Sequence, residues 1–416
     1  MRDTFKIKIF IGILAVILVT SLVYMSVLNP KNKPPIRVGI LHSLSGSLAE
    51  NEKPLVDILL MSVHEVNTRG GIFGRKIEAI VADSRSDPAH AAQEAERLIR
   101  DEKVNVIFGC GTSLCRKAIK TVVEKYESLL FYPLHYEGLE QSKNIIYTGI
   151  TPNQQIVSGL IWSLNNFGPR LHLIGSDDTF PYISNYIIRD VANIKKATLV
   201  AERYLPLRSD NFDTIIAEIA QLQPDVLMNS IRGQSNKSFF SKRYHAGLDH
   251  IPVLSFSITE TELALIPPGH RKNIYAVWSY FQSINTPTNH IFVAKVKKHL
   301  GHETVISDPM EASYIGFQLW IQAVESAEST NAAMVSRAAR EMTLNAPEGI
   351  ISVDGRNLHL SKKIRVGRAR TDGQFDIIWE SQKNIRPIPY PSYRGRNQWT
   401  KILKELSDKE AAHEIQ

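Results

Sequence analysis

The sequence predicts an α/β fold built as two lobes, and three observations carry that prediction. At 416 residues the chain exceeds what a single hydrophobic core usually serves. From Ile36 onward, strand-like apolar runs alternate with segments of helical periodicity. The same alternation restarts after Thr151-Pro152-Asn153, with no short sequence repeat, so an architecture is duplicated rather than a motif. A hydrophobic share of 43% and a charged share of 22% are those of a folded protein, which excludes a disordered chain.

Taken in order, Ile36–Leu41 reads as the first strand and His42–Ser47 as a polar loop. Pro54–Thr68 follows with apolar residues at Leu55, Ile58, Leu59 and Val63, a helical spacing that Gly70-Gly71 stops. Lys76–Ala82 is a strand, and Asp87 caps a helix over Asp87–Arg100. Val104–Phe108 and Leu129–Tyr132 are two further strands flanking a helical pattern. In the second half, Ile156–Asn165 reads as a helix, and Arg170–Ile174, Ala197–Tyr204, Val226–Ser230 and Val253–Phe256 as strands. Asp308–Ala327 is an amphipathic helix carrying Tyr314, Phe317, Leu319 and Trp320. After Pro347 the pattern turns to hairpins, marked by Asp354-Gly355 and Asp372-Gly373 between alternating runs. The proline-rich stretch from Asn384 and the charged Lys401–Gln416 segment read as a tail.

The N-terminus has its own logic. Arg2, Lys6 and Lys8 precede Ile9–Leu28, a run without a formal charge. Its length corresponds to roughly 30 Å of helix, enough to cross a bilayer. The expected order is a cytoplasmic segment 1–8, a transmembrane anchor or signal segment 9–28 and a linker 29–35, with the body on the extracytoplasmic face. Residues 1–35 hold five basic side chains and one acid, +4 of the net +7, which leaves +3 for the body. That balance predicts no nucleic-acid partner. For the two cysteines, Cys110 and Cys115, a local disulfide in an oxidising compartment stands against two unpaired residues, and the unpaired state is expected because so short a loop makes disulfide geometry hard to meet.

The richest stretch runs from Val104 to Gly138. One strand ends in Gly109-Cys110-Gly111-Thr112-Ser113, and the next breaks into Pro133-Leu134-His135-Tyr136-Glu137-Gly138. Glycines admit a ligand close to the backbone, and Thr112 and Ser113 stand where a helix cap would be. Two strand ends thus bring hydroxyls, two tyrosines and a histidine to the crevice where open α/β sheets bind ligands.

Six ordered motifs then identify a family resemblance: VGILHSLSG (Val38–Gly46), FGCGTSLCRKA (Phe108–Ala118), FYPLHYEG (Phe131–Gly138), YTGITPNQQ (Tyr147–Gln155), DPMEASYIG (Asp308–Gly316) and DGQFDIIW (Asp372–Trp379). The chain resembles, over roughly Ile36 to Tyr390, the urea and short-chain amide branch of periplasmic substrate-binding proteins of ABC transporters. It is also similar to amide-sensing regulators. The resemblance implies a two-lobed type I periplasmic-binding-protein (Venus flytrap) fold, with a ligand held between lobes that close about a hinge. Lobe 1 is expected over 36–155 plus about 276–346, lobe 2 over 156–275 plus about 347–384, and a tail of no assigned role over 385–416.

By the same resemblance the ligand-binding set is Gly111, Thr112, Ser113, Tyr132, His135 and Tyr136 from the first lobe. Asp178, Phe180 and Gly233 come from the second. Relatives commonly carry an aromatic residue at the position of Gly111, so the cavity is expected to widen there. Asp178 stands where relatives show tyrosine, which favours a cationic or strongly donating ligand unless the side chain faces solvent. The expected function is a solute-binding receptor that delivers urea, a short-chain amide or a related small polar solute to an ABC permease. The alternative is a membrane-tethered sensor acting through a partner protein. No catalytic triad or metal spacing is visible, so neither an enzyme, a metal nor a cofactor is expected.

Overall fold

The computed structural model describes residues 34–413, together with residues 13, 16–18 and 20. Most of the expected membrane or signal segment 9–28 therefore lies outside the described residues. Among those described, no helix is long and apolar enough to cross a membrane.

The first lobe is laid down by alternation: β1 (Ile36–His42), α1 (Ala49–Thr68), β2 (Ile77–Asp83), α2 (Pro88–Arg100), β3 (Ile107–Gly109), α3 (Ser113–Lys125), β4 (Leu130–Tyr132) and β5 (Ile145–Tyr147). The strands form one parallel sheet in the order β2-β1-β3-β4-β5. Helices cover both faces, so β3, β4 and β5 are buried at every position, which is why they read as unbroken apolar runs.

The second lobe repeats the plan. A π-helical turn at Asn153–Val157 runs into α4 (Ser158–Asn166), followed by β6 (Arg170–Ser176), α5 (Thr179–Lys195), β7 (Thr198–Leu205), α6 (Asp213–Leu222), β8 (Val226–Ser230), α7 (Ser235–His245), β9 (Val253–Ser255), α8 (Glu260–Leu265) and β10 (Ile274–Trp278). Its parallel strands take the order β7-β6-β8-β9-β10, the connectivity of the first sheet over again.

The chain then returns to lobe 1 for α9 (Pro287–Leu300), α10 (Asp308–Ala327), α11 (Ala332–Ala338) and the small antiparallel sheet β11 (Thr343–Ala346), β12 (Gly349–Val353) and β13 (Leu360–Ser361). It finally crosses back as the hairpin β14 (Arg365–Ala369) and β15 (Phe375–Glu380), which extends the second sheet antiparallel to β10. Three segments therefore join the lobes, close to Thr148–Thr151, Ser279–Thr286 and Lys362–Ile364.

Three expectations change. The boundary expected at 347 falls near 362, because Ile351, Val353, Leu358 and Leu360 pack into the first-lobe core with Trp320 and Phe108. Residues from 385 are not a loose tail. Helix α12 (Arg396–His413) buries Trp399, Ile402 and Leu406 in the second-lobe core. And Cys110 and Cys115 are joined in a disulfide. Their Cα atoms stand 6.2 Å apart, within the range a disulfide spans, because the chain reverses between the end of β3 and the first turn of α3.

Candidate ligand-binding site

In each sheet the strand order reverses beside the first strand, between β1 and β3 in lobe 1 and between β6 and β8 in lobe 2. Loops leaving the carboxyl ends of strands diverge at such a point and leave a crevice. The two crevices share one cavity of about 700 Å³. Lobe 1 lines it with Leu44–Lys53 after β1, Gly111 after β3 and Leu134 and His135 after β4. Lobe 2 supplies Phe180 from α5, Arg232–Gln234 after β8, Ser257, Thr259, Thr261 and Glu262 after β9 and Trp278 at the end of β10.

The lobes touch at the rim. The Asn51 amide donates to Glu262 Oε1 at 2.8 Å, and the Gln234 amide donates to Glu50 Oε2 at 2.7 Å. Gly233, whose left-handed φ of +56° suits glycine, brings its backbone near Asn51, leaving a Cβ there 3.9 Å from Asn51 Oδ1. Glu262 is itself held by a capping box at the start of α8, its Oε2 accepting from the Thr259 amide at 2.9 Å and hydroxyl at 2.6 Å.

An aromatic wall stands between. The His135 ring meets Phe180 edge-on at 4.6 Å between centroids and Trp278 at 4.8 Å. Burial, and then the charge of Arg232, push the His135 imidazole down to about 3, so it is neutral and keeps an acceptor nitrogen. The Trp278 indole N–H is spent on the Ile258 carbonyl at 2.6 Å. Its ring is thus what it offers the wall.

Gly111, His135, Phe180 and Gly233 of the expected set line the cavity; the other five do not. Thr112 caps α3, accepting from the Cys115 amide at 3.1 Å. The Ser113 hydroxyl donates to Glu137. Glu137 in turn receives Arg116 Nη2 at 3.0 Å, while Arg116 Nε donates to Glu140 at 3.0 Å. Tyr132 and Tyr136 carry the Arg116 guanidinium on their rings at 5.0 and 4.4 Å from the centroids. All four polar partners are buried, so this cluster fastens the loop from beneath, away from the cavity lining. Burial pushes the Tyr132 phenol up to about 12, which keeps it neutral.

Two further expectations are corrected. Gly111 does not open the wall: a Cβ there would lie 2.1 Å from the Glu52 carboxylate, which already fills the space. Asp178 does not point freely into solvent, and its carboxylate is already taken up by a neighbour. It sits at the N-cap of α5, but its carboxylate pairs with Arg232 Nε at 2.6 Å. Asn51, Glu52, Glu262 and Trp278 escaped the sequence reading. The signal that would have found Asn51 and Glu52 was the loop after the first strand, which strand order alone places at a switch point.

A model described as periplasmic binding protein domain matches residues 36–396. The Leu/Ile/Val-binding protein homolog 7 of Brucella melitensis is 22% identical over 381 residues, covering 86% of this chain and 94% of that protein. A limonene hydroxylase of Geobacillus stearothermophilus is 40% identical over 115 residues, 28% of this chain, and the chain spans only 20% of that protein's length. Among solved structures, an amino acid ABC transporter substrate-binding protein from Pseudomonas fluorescens superposes with a TM-score of 0.77 at 17% identity, covering 86% of this chain and 97% of that one. A Rhodopseudomonas palustris solute-binding protein in complex with 3,4-dihydroxybenzoic acid gives 0.77 at 19% identity, with 85% and 98% covered.

Proposed function

The chain belongs to the periplasmic binding protein family, and from that premise we propose that it is a solute-binding receptor acting outside the cytoplasm. It holds a small polar solute in the interlobe cavity and delivers it to an ABC permease. The observation that carries this reading is the cavity itself, walled by the switch-point loops of two sheets of the same connectivity. Three chain crossings allow the lobes to close about it, and the bonds from Asn51 to Glu262 and from Gln234 to Glu50 latch the closed form. In this reading the protein performs no bond chemistry and needs no cofactor. Affinity is the contact energy of the solute less the cost of closing.

Urea or a short-chain amide, the solutes implied by the family resemblance, would be satisfied by the cavity's serines, threonines and His135. A cavity of about 700 Å³ also lies in the range that houses organic molecules well beyond the size of urea. The solute class is therefore read as a nitrogen-bearing polar compound with urea at its lower size limit.

A thermal-shift titration of the full chain tests the reading with urea, acetamide, amino acids, benzoate, agmatine and benzylamine. A true solute raises Tm progressively with concentration, by the equivalent of about 2.7 kcal/mol at a hundredfold excess over Kd. Unchanged melting with every member of the panel would refute it.

A further inference from the structure

We propose that the solute is a cation, an alkylammonium or guanidinium ion with an apolar body, and that Glu52 is the side chain that selects it. This rests on the reading that the interlobe cavity is the solute site. The first support is the balance of buried charge. Glu52 and Glu262 are 3% and 8% exposed and reach the cavity from opposite lobes. Of the lining cations, Lys53 and Arg208 are exposed at the rim, and Arg232 is already neutralised by Asp178. Opposite charge in a wall sheltered from water counts for far more than charge at a solvated rim.

The second support is the bonding of Glu52. Its Oε2 pairs with His42 Nδ1 at 2.9 Å and accepts from the Ser43 amide at 3.0 Å, and its Oε1 accepts from the Ser43 hydroxyl at 2.9 Å. A carboxylate offers about four lone-pair directions, so the protein uses three and one on Oε1 remains. Gly111 is what lets that carboxylate lie at the wall, since any Cβ there would collide with it. The two residues form a matched pair, and a larger residue at 111 would displace the charge.

The third support is the company Glu52 keeps. Phe180 and Trp278 supply aromatic rings, which attract organic cations, and neutral His135 adds an acceptor without a competing charge. Asn51 and Glu50, the neighbours of Glu52 on α1, make the bonds that latch the lobes. A cation seated on Glu52 therefore draws the latch toward lobe 2 and favours closure.

The test uses the full chain, with calorimetric and thermal-shift titration of agmatine and benzylammonium against benzoate, urea and acetamide. The cations are expected to bind and raise Tm. Glu52→Gln, which keeps the shape and loses the charge, should weaken them about tenfold or more. Gly111→Ala, which leaves Glu52 in the sequence but pushes its carboxylate aside, should do the same if Glu52→Gln fails to fold. Binding of benzoate, urea or acetamide but not of the cations overturns this inference and leaves the solute-receptor reading standing. So does cation affinity unchanged in both variants. Binding of none of the five overturns this inference, and the solute-receptor reading falls with it only if amino acids also leave Tm unchanged.

Discussion

At the scale of single residues, the Arg116 cluster shows how chemistry-bearing side chains can be structural. Glu137 is fully buried, and burial alone would raise its pKa. Arg116 outweighs that, and with Lys117 and Ser113 holds the carboxyl at about 2. A depressed folded-state pKa means that the ion pair contributes its full stability above the ordinary value of 4.5. That stability is lost as pH falls from 4.5 through about 2. Arg116→Leu strands both Glu137 and Glu140 without their partner and should cost about 3–5 kcal/mol, with acid unfolding moved to higher pH. Chemical denaturation across pH 2–7 measures both effects. Ser113→Ala removes one donor from the same cluster. It should lower stability by about 1 kcal/mol and leave solute affinity unchanged, whereas a ligand contact would show the reverse.

At the scale of elements, the β3–α3 connection is short and closed by the Cys110–Cys115 disulfide. Gly111, on the cavity wall, lies inside that small ring, so the bond limits how far the wall residue can wander. Closing so short a loop restricts the unfolded chain by about 2 kcal/mol. A Cys110→Ser/Cys115→Ser variant should therefore unfold at lower denaturant by that amount, read as a difference from the oxidised protein; treating the parent with reductant should reproduce it. A pair of unfolding curves that coincide would show that the bond does not restrict the unfolded chain by that amount. Helix α10 makes the opposite point: its bounds, Asp308–Ala327, are those its apolar residues predict, although it is buried on nearly every side rather than along one stripe.

At the scale of the whole molecule, two lobes of equal connectivity are pinned together by the C-terminal segment. The Leu139 amide donates to the Pro389 carbonyl at 2.8 Å, and the Gln154 amide donates to that of Ile385 at 2.8 Å. Farther on, Arg394 pairs with Asp190 at 2.6 Å and Trp399 is wholly buried in the second-lobe core. Trp399→Ala removes a large buried ring and should cost about 3–5 kcal/mol, measured by equilibrium unfolding. If the segment were a solvated tail, the same change would alter stability by no more than about 0.5 kcal/mol.

The amino-acid order by itself determined the α/β class, the repeat of the plan in two lobes, most helices and strands, and the region of the cleft. These follow from periodicity and turn residues, which act over a few neighbours and are written in local order. Gly111, His135, Phe180 and Gly233 of the cleft lining were also legible in the sequence, but the rest of the lining was decided by tertiary structure. Glu52 occupies the space of a side chain at Gly111, 59 positions later, and Asn51 bonds Glu262 at a separation of 211. Ser113, Tyr132 and Tyr136 were drawn beneath the loop by Arg116, whose buried charge needs carboxylates and ring faces from three segments. A charge buried or a void filled is settled by neighbours in space, and no local pattern in the chain announces them.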